Sequence, residues 1–165
     1  MHVVKAKFER IRELTVDSAI NNVGVYVLWA PKNWIKPTYI GEGTFLQRCI
    51  DHHKGRRSPM EGFAALLGDK SKKKNKRDAQ IVEALLLEVA ADVRRSPSRN
   101  RKAGNSKSIK KLFDRNDVIR VKVSGFDPLL DPSYPRMKTN KFIRLRMHRN
   151  GEITFRHGWK TRTVF

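Results

Sequence analysis

The sequence predicts an α+β domain (α/β/α-like) in which a small sheet is flanked by helices and followed by a C-terminal β-hairpin extension. Three stretches carry this prediction. Residues 23–29 place Val or Trp at every second position, as a half-buried strand does. Residues 78–94 repeat apolar side chains at intervals of three and four, as an amphipathic helix does. Residues 142–157 form two segments, the first alternating apolar with basic residues, around an Asn-Gly pair, a strong hairpin signal.

The first stretch continues into a strand–strand–helix unit. After a connection that contains proline, Thr38-Tyr39-Ile40 predicts a second strand, and Gly41-Glu42-Gly43 predicts a sharp turn at its end. Thr44 is a good N-cap for a helix that carries Arg48 and His52 on successive turns. Two strands that supply tyrosines and a helix that supplies Arg and His predict a polar cluster on a small scaffold.

The segments around this unit are less regular. Residues 1–22 are interpreted as a helical or irregular lead-in, although His2 to Phe8 also fits a strand. Met60 to Leu67 predicts a short helix closed by Gly68. Residues 70–77 are dense in lysine and arginine, which predicts a solvated, mobile loop. Val118–Val123 predicts a further strand.

Charge is the strongest compositional feature. The 165 residues contain 36 Lys+Arg against 16 Asp+Glu, a formal net charge of +20. A compact chain with this charge attracts polyanions, so nucleic acid is the expected partner, with an acidic membrane or an RNA assembly as alternatives. The single cysteine, Cys49, excludes an intrachain disulfide and a multi-cysteine zinc site.

Hydropathy predicts no membrane association by insertion. No apolar run approaches the roughly 18 residues of a membrane span, and the N-terminus lacks the apolar segment of a signal peptide. A cytoplasmic or nucleoid-associated, intracellular protein is therefore expected.

The strand–strand–helix unit resembles the GIY-YIG nuclease signature. Its first half stands as Gly24-Val25-Tyr26, its second half as Tyr39-Ile40-Gly41, and Arg48 followed by His52 completes it. Each half alone is a weak motif, whereas the ordered set is fairly specific. Thirteen positions separate the two tyrosines, slightly more than is usual in the family.

The second predicted helix extends the resemblance. Leu85-Leu86-Leu87-Glu88 is followed by Pro97 and Asn100 at the spacing found in the excision-repair nucleases of this family, whose glutamate there binds a metal. The resemblance thus implies that Glu88 holds one Mg²⁺ or Mn²⁺. From the residues alone, Glu88 fits better as a surface residue at the border of the apolar stripe. Glu83 has no such downstream partners and is expected to face solvent.

The resemblance also implies roles for the other signature residues. Tyr26 would accept the proton of the attacking water, Arg48 would bind the scissile phosphate, and His52 would hydrogen-bond the nucleophile or Tyr26. Tyr39 would orient the site. The glycines Gly24 and Gly41 and the proline Pro97 would be structural, and Asn100 would fix the backbone or contact a phosphate.

One departure from the family concerns the sheet. The family usually has a third strand before the glutamate-bearing helix, and residues 54–77 contain no convincing strand. Either that strand is degenerate, or Val118–Val123 supplies the missing edge. The chain is accordingly divided into a lead-in (1–22), a nuclease-like core (23–100) and a basic extension (101–165) that is expected to pack on the core.

Several polar side chains outside the core cluster are expected to contact nucleic acid without choosing a sequence. On the hairpin, Arg144 and Arg146 share one face of a strand, which fits either a solvated basic face or a ribbon laid on nucleic acid. The full set is Lys72, Lys73, Lys74, Lys76, Arg77, Asn100, Arg101, Lys102, Arg144 and Arg146.

Two functions follow from these observations. The first is a metal-dependent DNA endonuclease, with RNA as a further substrate class and a homodimer as one route to double-strand cleavage. The second is a non-catalytic, basic nucleic-acid-binding protein on a degenerate nuclease scaffold.

Overall fold

A computed structural model describes residues 1–31, 35–44, 46, 51, 61–97, 117–130, 132, 138–158 and 160–163. Its strands are β1 (His2–Arg10), β2 (Asn22–Trp29), β3 (Tyr39–Gly43), β4 (Glu61–Asp69), β5 (Val118–Phe126), β6 (Lys138–Met147), β7 (Ile153–His157) and β8 (Lys160–Thr163). Its helices are α1 (Val16–Asn21) and α2 (Lys73–Asp92). The strands form one sheet in the order β3-β2-β4-β1-β5-β6-β7-β8, in which only β1 and β5 run parallel.

The two faces of this sheet differ in what covers them. Alternate residues of the strands, such as Val27 of β2, Val121 of β5 and Leu145 of β6, are buried in one core cluster with the apolar residues of α2. We call this the inner face, and the opposite side of the sheet the outer face. The buried residues of α2 lie almost all round its circumference, as expected for a helix enclosed within a protein.

The predicted fold class, a small sheet flanked by helices with an appended hairpin, is wrong. The fold is mostly β, and the strands of the predicted core and extension belong to one continuous mixed sheet. The reason is β1, which pairs antiparallel with β4 through Glu9 and Ala64 and parallel with β5 through Val4 and Val121. The predicted helical or irregular lead-in is therefore mainly a central strand, because its neighbours on both sides come from distant parts of the chain.

The predicted short helix at 60–67 is also wrong, since this segment is the strand β4. It lies between β2 and β1, and its backbone runs so close to β2 that a Cβ on Gly62 would lie 2.0 Å from the Val27 carbonyl oxygen. β4 precedes α2 in the chain, at the position where the GIY-YIG resemblance requires a third strand. The alternative edge, β5, pairs instead with β1 and β6.

The predicted loop at 70–77 is wrong as well, because α2 begins at Lys73. Lysine and arginine are good helix formers, and Lys74 binds Asp78 one turn later at 2.8 Å. Asp78 thus lies inside the helix. The helix ends at Asp92, and Arg94 adopts the left-handed conformation (φ 57°) just after it.

Asp78 joins the start of β1 to α2. Its carboxylate is only 5% exposed and accepts from Lys74 and from His2 Nε2, the latter at 2.7 Å. We expect Asp78→Ala to lower the free energy of unfolding by about 2 kcal/mol, because two hydrogen bonds to a charged group are lost. Urea denaturation measures this loss, and Asp17→Ala on the exposed side of α1 serves as the control. Equal stability of the two variants would contradict the expectation.

Other predicted elements are confirmed. The alternating run 23–29 is β2, the second strand is β3, and Val118–Val123 lies in β5. The hairpin is β6 and β7, with Gly151 at φ 81° in its turn and Arg144 and Arg146 on the outer face. β3 continues through Gly43, so the predicted sharp turn at 41–43 is wrong.

The predicted helix after Thr44 is described only at Leu46 and Asp51, which are both helical; the rest of it lies outside the described residues. Within the described ranges, neither helix has an apolar stretch that could cross a bilayer.

Candidate functional site

Tyr26 and Tyr39 lie side by side on the outer face. β2 and β3 are antiparallel neighbours with Tyr26 opposite Gly41 and Leu28 opposite Tyr39, so both rings point to the same side of the sheet. The ring centroids are 5.8 Å apart, and the ring planes are inclined by 26°. The strand register therefore brings the two halves of the signature into contact.

Gly41 makes room for this contact. A Cβ at this position would lie 2.4 Å from Cε1 of Tyr39 and 2.8 Å from the hydroxyl oxygen of Tyr26. The Tyr26 hydroxyl thus lies directly over the backbone of β3. Gly24 has a comparable structural reason, because a Cβ there would lie 2.5 Å from the carbonyl oxygen of Ala65 in β4.

The tyrosine pair belongs to an apolar cluster on the outer face. Tyr26 is 1% exposed and packs with Leu28, Leu46 and Ala64, while Tyr39 is half-buried at the edge of the same cluster. Leu46, in the segment that follows Thr44, packs against this cluster on the outer side. Arg48 and His52 come next in the chain and lie outside the described residues, as do Asn100, Arg101 and Lys102.

Glu88 is placed differently. It lies on α2, which packs against the inner face, so the described elements do not bring it beside the tyrosine pair. Glu83, on the same helix, neighbours Glu42 of β3. At 3.6 residues per turn, the side chain of Glu88 leaves the helix about 140° away from that of Glu83. Pro97 follows the end of α2 without regular structure.

The inner face carries an acidic pair that the sequence analysis missed. Burial, and secondarily the charge of Glu42, raise the pKa of Glu83 to about 7. Burial also raises the pKa of Glu42. The charge of Lys76 and a hydrogen bond with Gln80 lower this pKa by a smaller amount. The prediction that Glu83 faces solvent is wrong. The sequence signal for this pair was Glu42, a glutamate between two glycines at the end of a short apolar strand.

The described residues contain no cluster of side chains that supports the predicted metal site. Within the described part of the chain, no three His, Cys, Asp or Glu side chains come together as ligands. Mg²⁺ and Mn²⁺ accordingly remain predictions, and no chemical step is derived through them.

The basic residues predicted to bind nucleic acid fall into two groups. On α2, Lys74 forms an ion pair with Asp78, and Arg77 lies 3.8 Å from Asp117. The charge of Lys76 lowers the pKa of Glu42. These cations are partly neutralised by the protein, while Lys72 and Lys73 are exposed. On β6, Arg144 and Arg146 are exposed on the outer face, the face that carries the tyrosine pair.

Comparison with protein-family models, curated proteins and solved structures finds no match to this chain. The functional assignment therefore depends on the geometry of the site and on the resemblance of its sequence.

Proposed function

We propose that this protein is an endonuclease of the GIY-YIG type that hydrolyses phosphodiester bonds in DNA. The observation that carries the proposal is the contact between Tyr26 and Tyr39 across β2 and β3, with Gly41 beneath the Tyr26 hydroxyl. This is the arrangement that a Gly-x-Tyr strand and a Tyr-x-Gly strand produce when they pair in this register. The position of β4 ahead of α2 supports the same scaffold.

The proposed chemistry is assigned by resemblance. Tyr26 accepts the proton of the attacking water as a phenolate, a form that nearby positive charge or a hydrogen bond must stabilise. Arg48 binds a non-bridging oxygen of the scissile phosphate, and His52 hydrogen-bonds the nucleophile or Tyr26. Bound Mg²⁺ would supply charge neutralisation at the leaving oxygen. Glu88 is the proposed metal ligand; the packing of α2 on the inner face does not favour it, so its role is tested separately.

The test is nicking of supercoiled plasmid by the purified protein in Mg²⁺, with EDTA, Arg48→Ala and Glu88→Ala arms. We expect nicked circles with the wild-type protein, none in EDTA, and at least a hundred-fold slower nicking by Arg48→Ala. Arg94→Ala removes an exposed arginine that follows the end of α2 and should leave the rate within two-fold. Full activity of Arg48→Ala would contradict the assigned site, and full activity of Glu88→Ala would remove only its metal role.

The second candidate is a nucleic-acid-binding protein without catalysis. The placement of α2 on the face opposite the tyrosines favours it, because the proposed metal ligand Glu88 lies on that helix. It predicts Mg²⁺-independent binding to the same plasmid with no nicking at any metal concentration.

The close approach at Gly41 gives an independent test of the tyrosine pair. We expect Gly41→Ala to lower the nicking rate at least ten-fold, because the added Cβ displaces both rings. The control is Gly151→Ala, which meets no atom within 4 Å but is strained at φ 81°, so that it loses stability away from the site. Thermal unfolding measured beside the rate separates the two effects; equal rates for the two variants would argue against the pair.

A further inference from the structure

The outer face is strongly basic where it is formed by β1, β5, β6 and β7. We define the basic face as the outward-pointing side chains Lys5, Arg120, Lys122, Phe142, Arg144, Arg146 and Arg156. Among the described outward positions of these four strands, the one acidic side chain is Glu9, which pairs with Lys7 at 3.0 Å. A surface that is merely solvated normally mixes both signs of charge.

The strand register places like charges directly opposite one another. Arg144 of β6 lies opposite Arg120 on one side and Arg156 on the other, and Lys5 lies opposite Lys122. No described carboxylate forms an ion pair with any of these five cations. Like charges in this position destabilise a sheet, and a bound polyanion would offset the repulsion.

An exposed aromatic ring lies within this charge. Phe142 is 46% exposed, and its ring centroid is 5.0 Å from the guanidinium of Arg120 and 5.8 Å from Nζ of Lys122. These cation–π contacts place two positive charges beside the ring. A cavity of about 240 Å³ beside it is lined by Arg120, Phe142, Arg144, Arg156 and Gly158. A ring presented among cations is the arrangement on which nucleobases stack.

Stacking on Phe142 indicates that the bound nucleic acid is a single strand and not a duplex. In a duplex the faces of the bases are covered by their neighbours, so a side chain that stacks requires unpaired bases. The cations around Phe142 contact phosphates without choosing a sequence. The basic face therefore suits a single strand, with its backbone on the arginines and a base on Phe142.

The basic face and the tyrosine pair lie on the same side of the sheet. The register runs from Phe142 through β5, β1 and β4 to Tyr26 without a change of face. Along the sheet, Phe142 and Tyr26 are about 23 Å apart, from a strand spacing of about 4.8 Å and a rise of about 3.3 Å per residue. At about 3.4 Å per stacked nucleotide, seven nucleotides or fewer bridge this distance.

We propose that the outer face of β1, β5, β6 and β7 binds single-stranded nucleic acid, with one base stacked on Phe142 and the strand directed toward Tyr26. The proposal rests on the proposed function for the fate of the strand, but binding itself does not depend on cleavage. Its test is therefore made in EDTA, where the proposed nuclease is inactive.

The experiment measures fluorescence anisotropy of labelled 12-nucleotide single strands and of the matching 12-base-pair duplex. We expect the wild-type protein to bind the single strand more tightly than the duplex. Phe142→Leu should weaken single-strand binding about ten-fold, since stacking on one aromatic ring contributes about 1–3 kcal/mol, and should change duplex binding less than two-fold. The side chain is half exposed, so the variant is expected to fold, which thermal unfolding verifies.

A charge arm complements the stacking arm. Arg144→Gln should lower the slope of log affinity against log salt concentration by about 0.7 for the single strand, because one phosphate contact is lost. Arg94→Gln makes the same charge change at the exposed end of α2 and should leave the slope unaltered. DNA and RNA strands of one sequence are compared, and tighter single-strand binding of either supports the proposal.

Three outcomes would overturn the inference: tighter binding of the duplex, equal losses of both ligands in Phe142→Leu, or equal salt slopes in Arg144→Gln and Arg94→Gln. If the plasmid is nicked but one of these outcomes is found, the proposed nuclease activity is retained and the proposed binding surface is rejected. Single-strand binding that depends on Phe142, without nicking in Mg²⁺, leaves the surface standing without the nuclease.

Discussion

Tyr26→Phe is expected to slow plasmid nicking by about 10²- to 10⁴-fold, the usual contribution of a positioned proton acceptor. The substitution removes a single oxygen from a ring that is 1% exposed and packed against Leu28, Leu46 and Ala64. The aromatic ring and its contact with Tyr39 remain. Loss of activity without loss of fold would therefore report the hydroxyl itself.

The controls for this experiment come from the other two tyrosines of the chain. Tyr39→Phe should lower the rate less, since Tyr39 is assigned an orienting role, and Tyr134→Phe, outside the signature, should leave it within two-fold. Rates are compared under single-turnover conditions with saturating protein, so that weaker binding does not appear as slower chemistry. A Tyr26→Phe variant as active as the wild type would contradict the proposed proton transfer.

We expect Glu83→Gln to stabilise the protein strongly at pH 8 and only slightly at pH 5. The pKa of Glu83 is raised from 4.5 to about 7, so the folded state holds its proton more tightly than the unfolded chain does. Stability from this group is therefore present at low pH and is lost as the pH rises from about 4.5 to 7. Glutamine keeps the shape and carries no charge, so the gain should grow by about 2–3 kcal/mol between pH 5 and pH 8.

Urea denaturation at the two pH values measures this difference. Glu42→Gln should reduce the pH dependence of wild-type stability, because it removes the like charge beside Glu83. Glu13→Gln, at an exposed position before α1, should change stability equally little at both pH values. A gain from Glu83→Gln that is the same at pH 5 and pH 8 would show that Glu83 titrates normally.

The elements that were predicted from the sequence are those whose pattern is local. β2 follows the alternation of Val23, Val25, Val27 and Trp29, and the β6–β7 hairpin follows the Asn150-Gly151 turn. That the two tyrosines lie close together was predictable, since two adjacent strands supply them. Their fit above Gly41, where a Cβ would meet both rings, was not.

The failures all involve partners distant in sequence. β1 is a strand because β4 and β5 lie on either side of it, which outweighs the helical spacing of Phe8, Ile11 and Leu14. β4 is a strand because it lies between β2 and β1, and its alanine- and leucine-rich sequence equally fits a helix. The shared side of the tyrosine pair and the basic face follows from the same pairing of β1 with β4 and β5.

The central claim is that one strand of nucleic acid lies across the outer face and is cut at the tyrosine pair. The most direct test places a photo-crosslinking base at successive positions of a single strand and maps both the crosslink to Phe142 and the site of cleavage in Mg²⁺. We predict one cut on one side of the crosslinked base, at a fixed separation of seven nucleotides or fewer. Cuts at variable distances from the crosslinked base, or a crosslinked strand that is never cut, would contradict the account.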